Sequence, residues 1–132
     1  MKKKLFLYIG LAALVVSCQG NTKVEVGNKT SMSVNLVFDA GNVIKGETIE
    51  AKFILKNTGE FPLVIGDAKG SCSCTVAEKP EAPINPGEEG VIKVHVTTLS
   101  ANAGIINKAV NIVANTEPSL TTVAVKANII NK

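Results

Sequence analysis

Thr48-Ile49-Glu50-Ala51-Lys52-Phe53-Ile54-Leu55-Lys56-Asn57 alternates along its length. On an extended chain Ile49, Ala51, Phe53 and Leu55 share one side, while Glu50, Lys52 and Lys56 share the other. That two-residue period marks a half-buried strand rather than a helix. The same period recurs on both flanks. Within residues 32–38, Met32, Val34, Leu36 and Phe38 share a face. Residues 63–65 form a shorter strand. Within residues 91–98, Ile92, Val94 and Val96 lie opposite Lys93, His95 and Thr97. Residues 106–114 and 123–129 complete the set, the latter with Val123, Val125 and Ala127 inward. Between the runs lie Ala40-Gly41-Asn42, Lys45-Gly46-Glu47, Asn57-Thr58-Gly59, Pro86-Gly87-Glu88 and Ala103-Gly104. Glycine supplies positive φ, and Pro before Gly suits a type II turn. No segment carries a helical stripe and no internal repeat is visible. The reading is all-β: a single immunoglobulin-like β-sandwich of about seven antiparallel strands over residues 32–132.

Upstream of the strands the chain reads as an address. Lys2, Lys3 and Lys4 precede an apolar run over residues 5–16. That run is too short to span a bilayer, which takes about 20 residues. A basic start, a short apolar middle and small residues at its end are the marks of an export signal, here residues 1–17. Val15-Val16-Ser17-Cys18 resembles a bacterial lipoprotein box, which implies lipidation of Cys18 and cleavage before it. The membrane is then a partner through the lipid on Cys18, since two or three acyl chains at about 0.8 kcal/mol per buried methylene hold firmly. Residues 18–31, polar and rich in Gly, Asn and Lys, read as a flexible tether. Gln19, rather than Asp, after the lipidated Cys favours the outer membrane as the destination within the cell envelope.

Composition narrows the function classes. The 132 residues carry a net charge of +3. Without Lys2, Lys3 and Lys4, eleven lysines face eleven acids, and the chain holds no Arg and no Trp. A neutral chain without Arg lacks the basic footprint of nucleic-acid binding. Glu88-Glu89 and the Glu47/Glu50 pair read as solvated acids beside turns. His95, the sole imidazole, falls on the polar side beside Lys93. Phe38 and Phe53 read as core, and Phe61 is expected to pack beneath a loop. No phosphate loop, nucleophile elbow or His-containing triad is present, so no catalytic residue, no metal ligand set and no cofactor is assigned. No small-molecule substrate is evident, and the chain is read as not an enzyme.

The cysteines carry the chemical signal. With Cys18 assigned to lipid, Cys72 and Cys74 remain, in Ser71-Cys72-Ser73-Cys74-Thr75. Two residues apart on an extended strand, their Cα atoms would lie about 6.6–6.8 Å apart, at the outer limit for a disulfide unless the chain bends. Three readings follow: a structural pair, bridged or buried; thiol–disulfide chemistry, suited to an oxidising compartment but with no evident neighbour to lower a thiol pKa; and capture of a soft metal, chiefly Cu(I). Structural zinc would require four ligands.

The order of motifs resembles a known family. Phe38-Asp39-x-Gly41, Gly46-Glu47, Lys56-Asn57-Thr58-Gly59, Pro62-Leu63, Ser71-Cys72-x-Cys74-Thr75, Pro83-x-x-Pro86-Gly87-Glu88 and Asn107-Lys108 fall as they do in domain-of-unknown-function family 1573. These are exported immunoglobulin-like proteins, related to sandwich domains of cilia-associated proteins. The resemblance covers residues 36–129 and implies the fold and export, with no activity attached. Two positions depart from the family pattern. Ala40 stands where the family usually has Phe, and Ser73 where it has a Gly that would ease closure of a bridge. The resulting expectation is a lipid-anchored, non-catalytic module that binds or scaffolds an envelope protein partner, with a redox or Cu(I)-handling role for Cys72 and Cys74 as the alternative.

Overall fold

The computed structural model describes residues 27–132. The expected signal, Cys18 and most of the expected tether lie outside the described residues. Eight strands form two four-stranded sheets. The strands are β1 (Met32–Val34), β2 (Val37–Ile44), β3 (Thr48–Asn57), β4 (Ile65–Gly70), β5 (Thr75–Glu78), β6 (Glu89–Thr97), β7 (Gly104–Ala114) and β8 (Leu120–Ile130). One sheet runs β1-β3-β6-β5 and the other β2-β8-β7-β4. This is the sandwich expected from the alternation, with eight strands rather than about seven.

Burial follows the period. Along β3 every second residue is buried, and its partner β6 aligns Phe53 with Ile92, Ala51 with Val94 and Ile49 with Val96. On the other sheet β7 and β8 pair Val110 with Val123 and Ile106 with Ala127. Phe53, Leu55, Ile92, Val94, Val110, Ile112, Val123 and Val125 are essentially sealed from solvent. Phe38 meets Phe53 edge-on, with ring centroids 6.4 Å apart.

The expected strand over residues 32–38 is two strands in different sheets. β1 pairs antiparallel with β3, and after Asn35-Leu36 the chain crosses over and β2 runs parallel to β8. Met32, Val34, Phe38 and Ala40 all pack against the core across the crossing, and Leu36, in the link itself, is exposed rather than sharing their face. One pair is therefore parallel where an all-antiparallel sandwich was expected. Ala40-Gly41-Asn42 is not a chain reversal but an irregularity inside β2, whose register slips between Asp39 and Asn42. Gly41 takes φ +67°, and its N–H donates to Asp39 Oδ1 at 2.9 Å. Turn chemistry on an edge strand makes a bulge, which also blunts that edge.

Two turns share one plan. In residues 44–47 and 85–88 the last residue's N–H donates to the first carbonyl, from Glu47 to Ile44 and from Glu88 to Asn85. Each glutamate carboxylate in turn accepts the first residue's N–H, at 3.4 Å in both. Gly46 and Gly87 supply positive φ. These acids, expected to be merely solvated, lock their own turns.

The domain begins before Met32. Thr30 is buried and bridges Thr116, its N–H donates to Asn115 O at 2.9 Å, and Lys29 pairs with Glu117. The last residues assigned to the tether thus belong to the sandwich. At this entry end Asn57 is fully buried. Its amide donates to Phe61 O at 2.7 Å and Ile84 O at 2.9 Å, and its Oδ1 accepts from Thr30 Oγ1 at 2.9 Å and Gly59 N at 3.1 Å. Both donors and both acceptor positions of one side chain are therefore used. Phe61, expected beneath a loop, contributes its carbonyl and is itself 41% exposed.

Candidate functional site

The link between the sheets on one open side is Ser71-Cys72-Ser73-Cys74. It joins β4, an edge of the second sheet, to β5, an edge of the first. β5 escaped the sequence reading because four residues are too short to show a period. The linking segment turns rather than extends. Thr75 N–H donates to Cys72 O at 3.1 Å, Ser71 N–H to Ala109 O at 2.9 Å, and Thr97 N–H to Cys74 O at 2.9 Å. The turn is thereby tied to β7 on one flank and β6 on the other. The bend brings the Cys72 and Cys74 Cα atoms to 5.2 Å, and the two sulfurs are joined as a disulfide. Ser73 closes the turn without positive φ, so the glycine usual at this position is not required for the bend.

Glycine is required just before it. A Cβ on Gly70 would stand 2.3 Å from Thr75 O and 2.7 Å from Thr75 Cβ. The end of β4 and the start of β5 approach that closely only because position 70 has no side chain. Thr75, which the sequence reading took merely as part of a motif, is 5% exposed. Its Oγ1 lies 3.4 Å from Cys72 Sγ and 3.7 Å from Cys74 Sγ. No other side-chain partner of this hydroxyl occurs among the described residues. Beside the turn runs an open groove of about 510 Å³ lined by Ala68, Lys69, Gly70, Cys72, Thr75 and Ala77. β4 pairs Gly70 with Val110. Two residues along on the same side of β7 is Lys108, half-buried and without an ion pair among the described residues. The register brings Lys108 to the level of the turn, and Lys69 lines the groove itself.

The outer faces of the two sheets differ in chemistry. On the first, cross-strand rows set Glu50 beside His95 and Lys52 beside Lys93. Glu78 follows opposite Lys93 on β5. His95 is 37% exposed at its side chain, 4.0 Å from Glu50 and 3.9 Å from Glu78. It is the surface imidazole expected, set between two carboxylates. No group of three or more potential metal ligands is found among the described residues. On the second face, one row runs Val37, Ala124, Ala109. Others pair Leu120 with Val113, Thr122 with Asn111, and Ile105 with Asn128. Thr122 Oγ1 donates to Asn111 at 2.9 Å and Asn128 Nδ2 to Asn42 at 2.8 Å. Val37, Val113, Leu120 and Ile105 are all exposed.

Residues 21–129 match the family described as Protein of unknown function (DUF1573). No curated protein matches the chain. Among solved structures, a protein of unknown function from Porphyromonas gingivalis W83 is similar with a TM-score of 0.67 at 21% identity, over 83% of this chain and 51% of that one. The chain thus spans about half the length of that relative. The ASH / PapD-like domain 7 of human CEP192 is similar with a TM-score of 0.58 at 12% identity, over 79% and 88% of the two chains. The secreted serine protease VesC from Vibrio cholerae is similar with a TM-score of 0.59 at 10% identity, over 76% of this chain and 23% of that one. Likenesses at these identities concern the fold.

Proposed function

The chain belongs to the DUF1573 family, and on that premise we propose that it is a lipid-anchored, non-catalytic module of the cell envelope that binds a protein partner. The observation that carries the reading is the contrast between the sheet faces. On the second face, exposed Val113 and Leu120 and uncharged Asn111 and Thr122 fill one stretch of the central strands β7 and β8, with Asp67 and Lys69 beside them on the edge strand β4 and the Asp39–Lys126 pair further along. Depletion of charge with retained apolar area is the composition of a protein-interface core. The first face carries Glu50, Lys52 and Lys93 on its central strands and Glu78 beside them, so its exposed Ile54, Val76 and Val91 are interrupted by charge.

Orientation supports the same reading. The described chain enters beside Asn115 and Glu117, so a lipid on Cys18 would hold that end toward the membrane. At about 3.3 Å per residue, the eleven residues of β7 would carry the opposite end roughly 35 Å further out. The outer membrane is the destination that Gln19 favours. A photo-crosslinker placed at Thr122 in cells is expected to capture one reproducible envelope protein, while the same group at Lys52 captures none. Equal or absent capture from both positions would refute the binding reading. Globomycin is expected to accumulate a lipidated precursor, and an unaffected protein would refute the anchor.

A second reading is favoured by a separate observation: the bridged cysteines sit on a turn that faces an open groove rather than in the core. It is a thiol-redox accessory role for Cys72 and Cys74. Cu(I) handling by the same pair would require the bridge to be reduced first, since thiolate is the ligand form.

A further inference from the structure

Thr75 presents a buried hydroxyl whose side-chain hydrogen-bond partners, among the described residues, are the two sulfurs of the disulfide. A disulfide sulfur carries no hydrogen, so the hydroxyl is the donor in both contacts. Disulfide sulfur is a weak acceptor and thiolate a strong one. The hydroxyl is therefore poorly used in the oxidised form and well used once a cysteine is ionised. Chain entropy gives this bridge little structural purpose, because it closes a loop of only three residues, and loop closure stabilises least when the loop is short. Cys72 lines the groove over Ala68, Gly70 and Ala77 and Cys74 does not; Cys74 is itself half-exposed, and a partner thiolate reaches it directly from solvent.

We propose that the Cys72–Cys74 bridge is a thiol–disulfide exchange centre serviced by a partner dithiol protein, with Thr75 as the positioning residue that stabilises the leaving thiolate of Cys72. This rests on the second reading above and adds to it the roles of the two sulfurs. The partner thiolate attacks Cys74 Sγ, forming a mixed disulfide and breaking the Cys72–Cys74 bond. The bonding pair leaves on Cys72 Sγ, the sulfur nearer the hydroxyl at 3.4 Å, where the Thr75 O–H receives it. The partner's second thiol, deprotonated, then attacks its own sulfur in the mixed disulfide and releases Cys74 as a thiolate that takes up a proton. The partner ends as a disulfide, having supplied both electrons, and this chain ends with two reduced cysteines.

The test uses the full chain in detergent. The native disulfide is exposed to dithiothreitol near neutral pH without denaturant, and the pH profile of alkylation is then followed for each thiol. Opening of the bridge in folded protein is expected, with Cys72 ionising below the ordinary thiol range and Cys74 within it. Thr75→Val is expected to raise the Cys72 midpoint by about one pH unit, a tenfold loss of thiolate below it, and Thr75→Ser to restore it. Should Thr75→Val not fold, Cys74→Ala and Cys72→Ala present each thiol alone, and the same asymmetry is expected between them. A bridge that resists the dithiol until the protein unfolds overturns the exchange centre itself. Ready exchange with equal, ordinary profiles for both thiols, or with Thr75→Val matching wild type, overturns the role of Thr75 and leaves the exchange reading standing.

Discussion

The two ends of the sandwich solve the problem of loose loops by different means. At the entry end, amides do the fastening. Asn57 saturates its side chain on Thr30, Gly59, Phe61 and Ile84. Asn115 donates to Asn28 O and Pro62 O and accepts from Val64 N at 2.8 Å. Four separate chain segments converge there, and the bonds to Thr30, Ile84, Asn28, Pro62 and Val64 join residues at least 27 apart in sequence. Toward the opposite end the fastening is one local bridge and one long-range hydroxyl. Cys72 bonds to Cys74, and Thr98 Oγ1 donates to Glu47 O while accepting from Gly46 N, and Leu99 and Ile105 are left 69% and 68% exposed. The amides tie distant segments together, whereas the bridge holds a single turn in shape. A covalent bond is thus the weaker structural element here, because what it constrains is already short.

That contrast can be broken by experiment, and the largest expected effect is at the entry end. Asn57→Ala removes the donor to Phe61 O and the acceptor of the Thr30 hydroxyl and Gly59 N–H, while Ile84 O keeps the Leu63 N–H, and a loss of about 3–4 kcal/mol is expected in urea denaturation. Gly70→Ala comes next. Its Cβ would collide with Thr75 backbone and Cβ, for an expected cost of about 2 kcal/mol. Removing the bridge itself with Cys72→Ser and Cys74→Ser together should cost less, about 1 kcal/mol, with the urea m value unchanged. A cost equal to that of Asn57→Ala would abolish the distinction between the ends. Smallest is the surface trio. A double-mutant cycle between His95 and Glu78, 3.9 Å apart and solvent-exposed, should return about 0.5 kcal/mol or less at a pH where His95 is charged.

Much of the fold was legible because period two is a local property. β3, β6 and β8 were readable from the alternation of Ile49 to Leu55, Ile92 to Val96 and Val123 to Ala127, and Pro86-Gly87 declared its turn. The crossing at Asn35-Leu36 was not legible, since Met32 to Phe38 alternates without interruption and only the choice of partner strand, β3 or β8, divides it. The candidate site was half legible. Cys72 and Cys74 stood out as the remaining cysteines, whereas Thr75 looked like any strand residue and Lys108 like any surface lysine. Asn57 passed as a turn residue for the same reason: nothing near it in sequence announces the carbonyls of Phe61 and Ile84 that it serves.

By itself, then, the order of residues determined which segments are strands, which side of each is apolar, and that two thiols lie within three residues of each other. Those properties follow from side-chain alternation and spacing along one chain. Which strands pair, where the chain changes sheet, that the thiols bend into a bridge, and that a buried hydroxyl waits beside them were decided only in three dimensions. Each of those depends on contacts between segments whose separation in sequence carries no record of their distance in space.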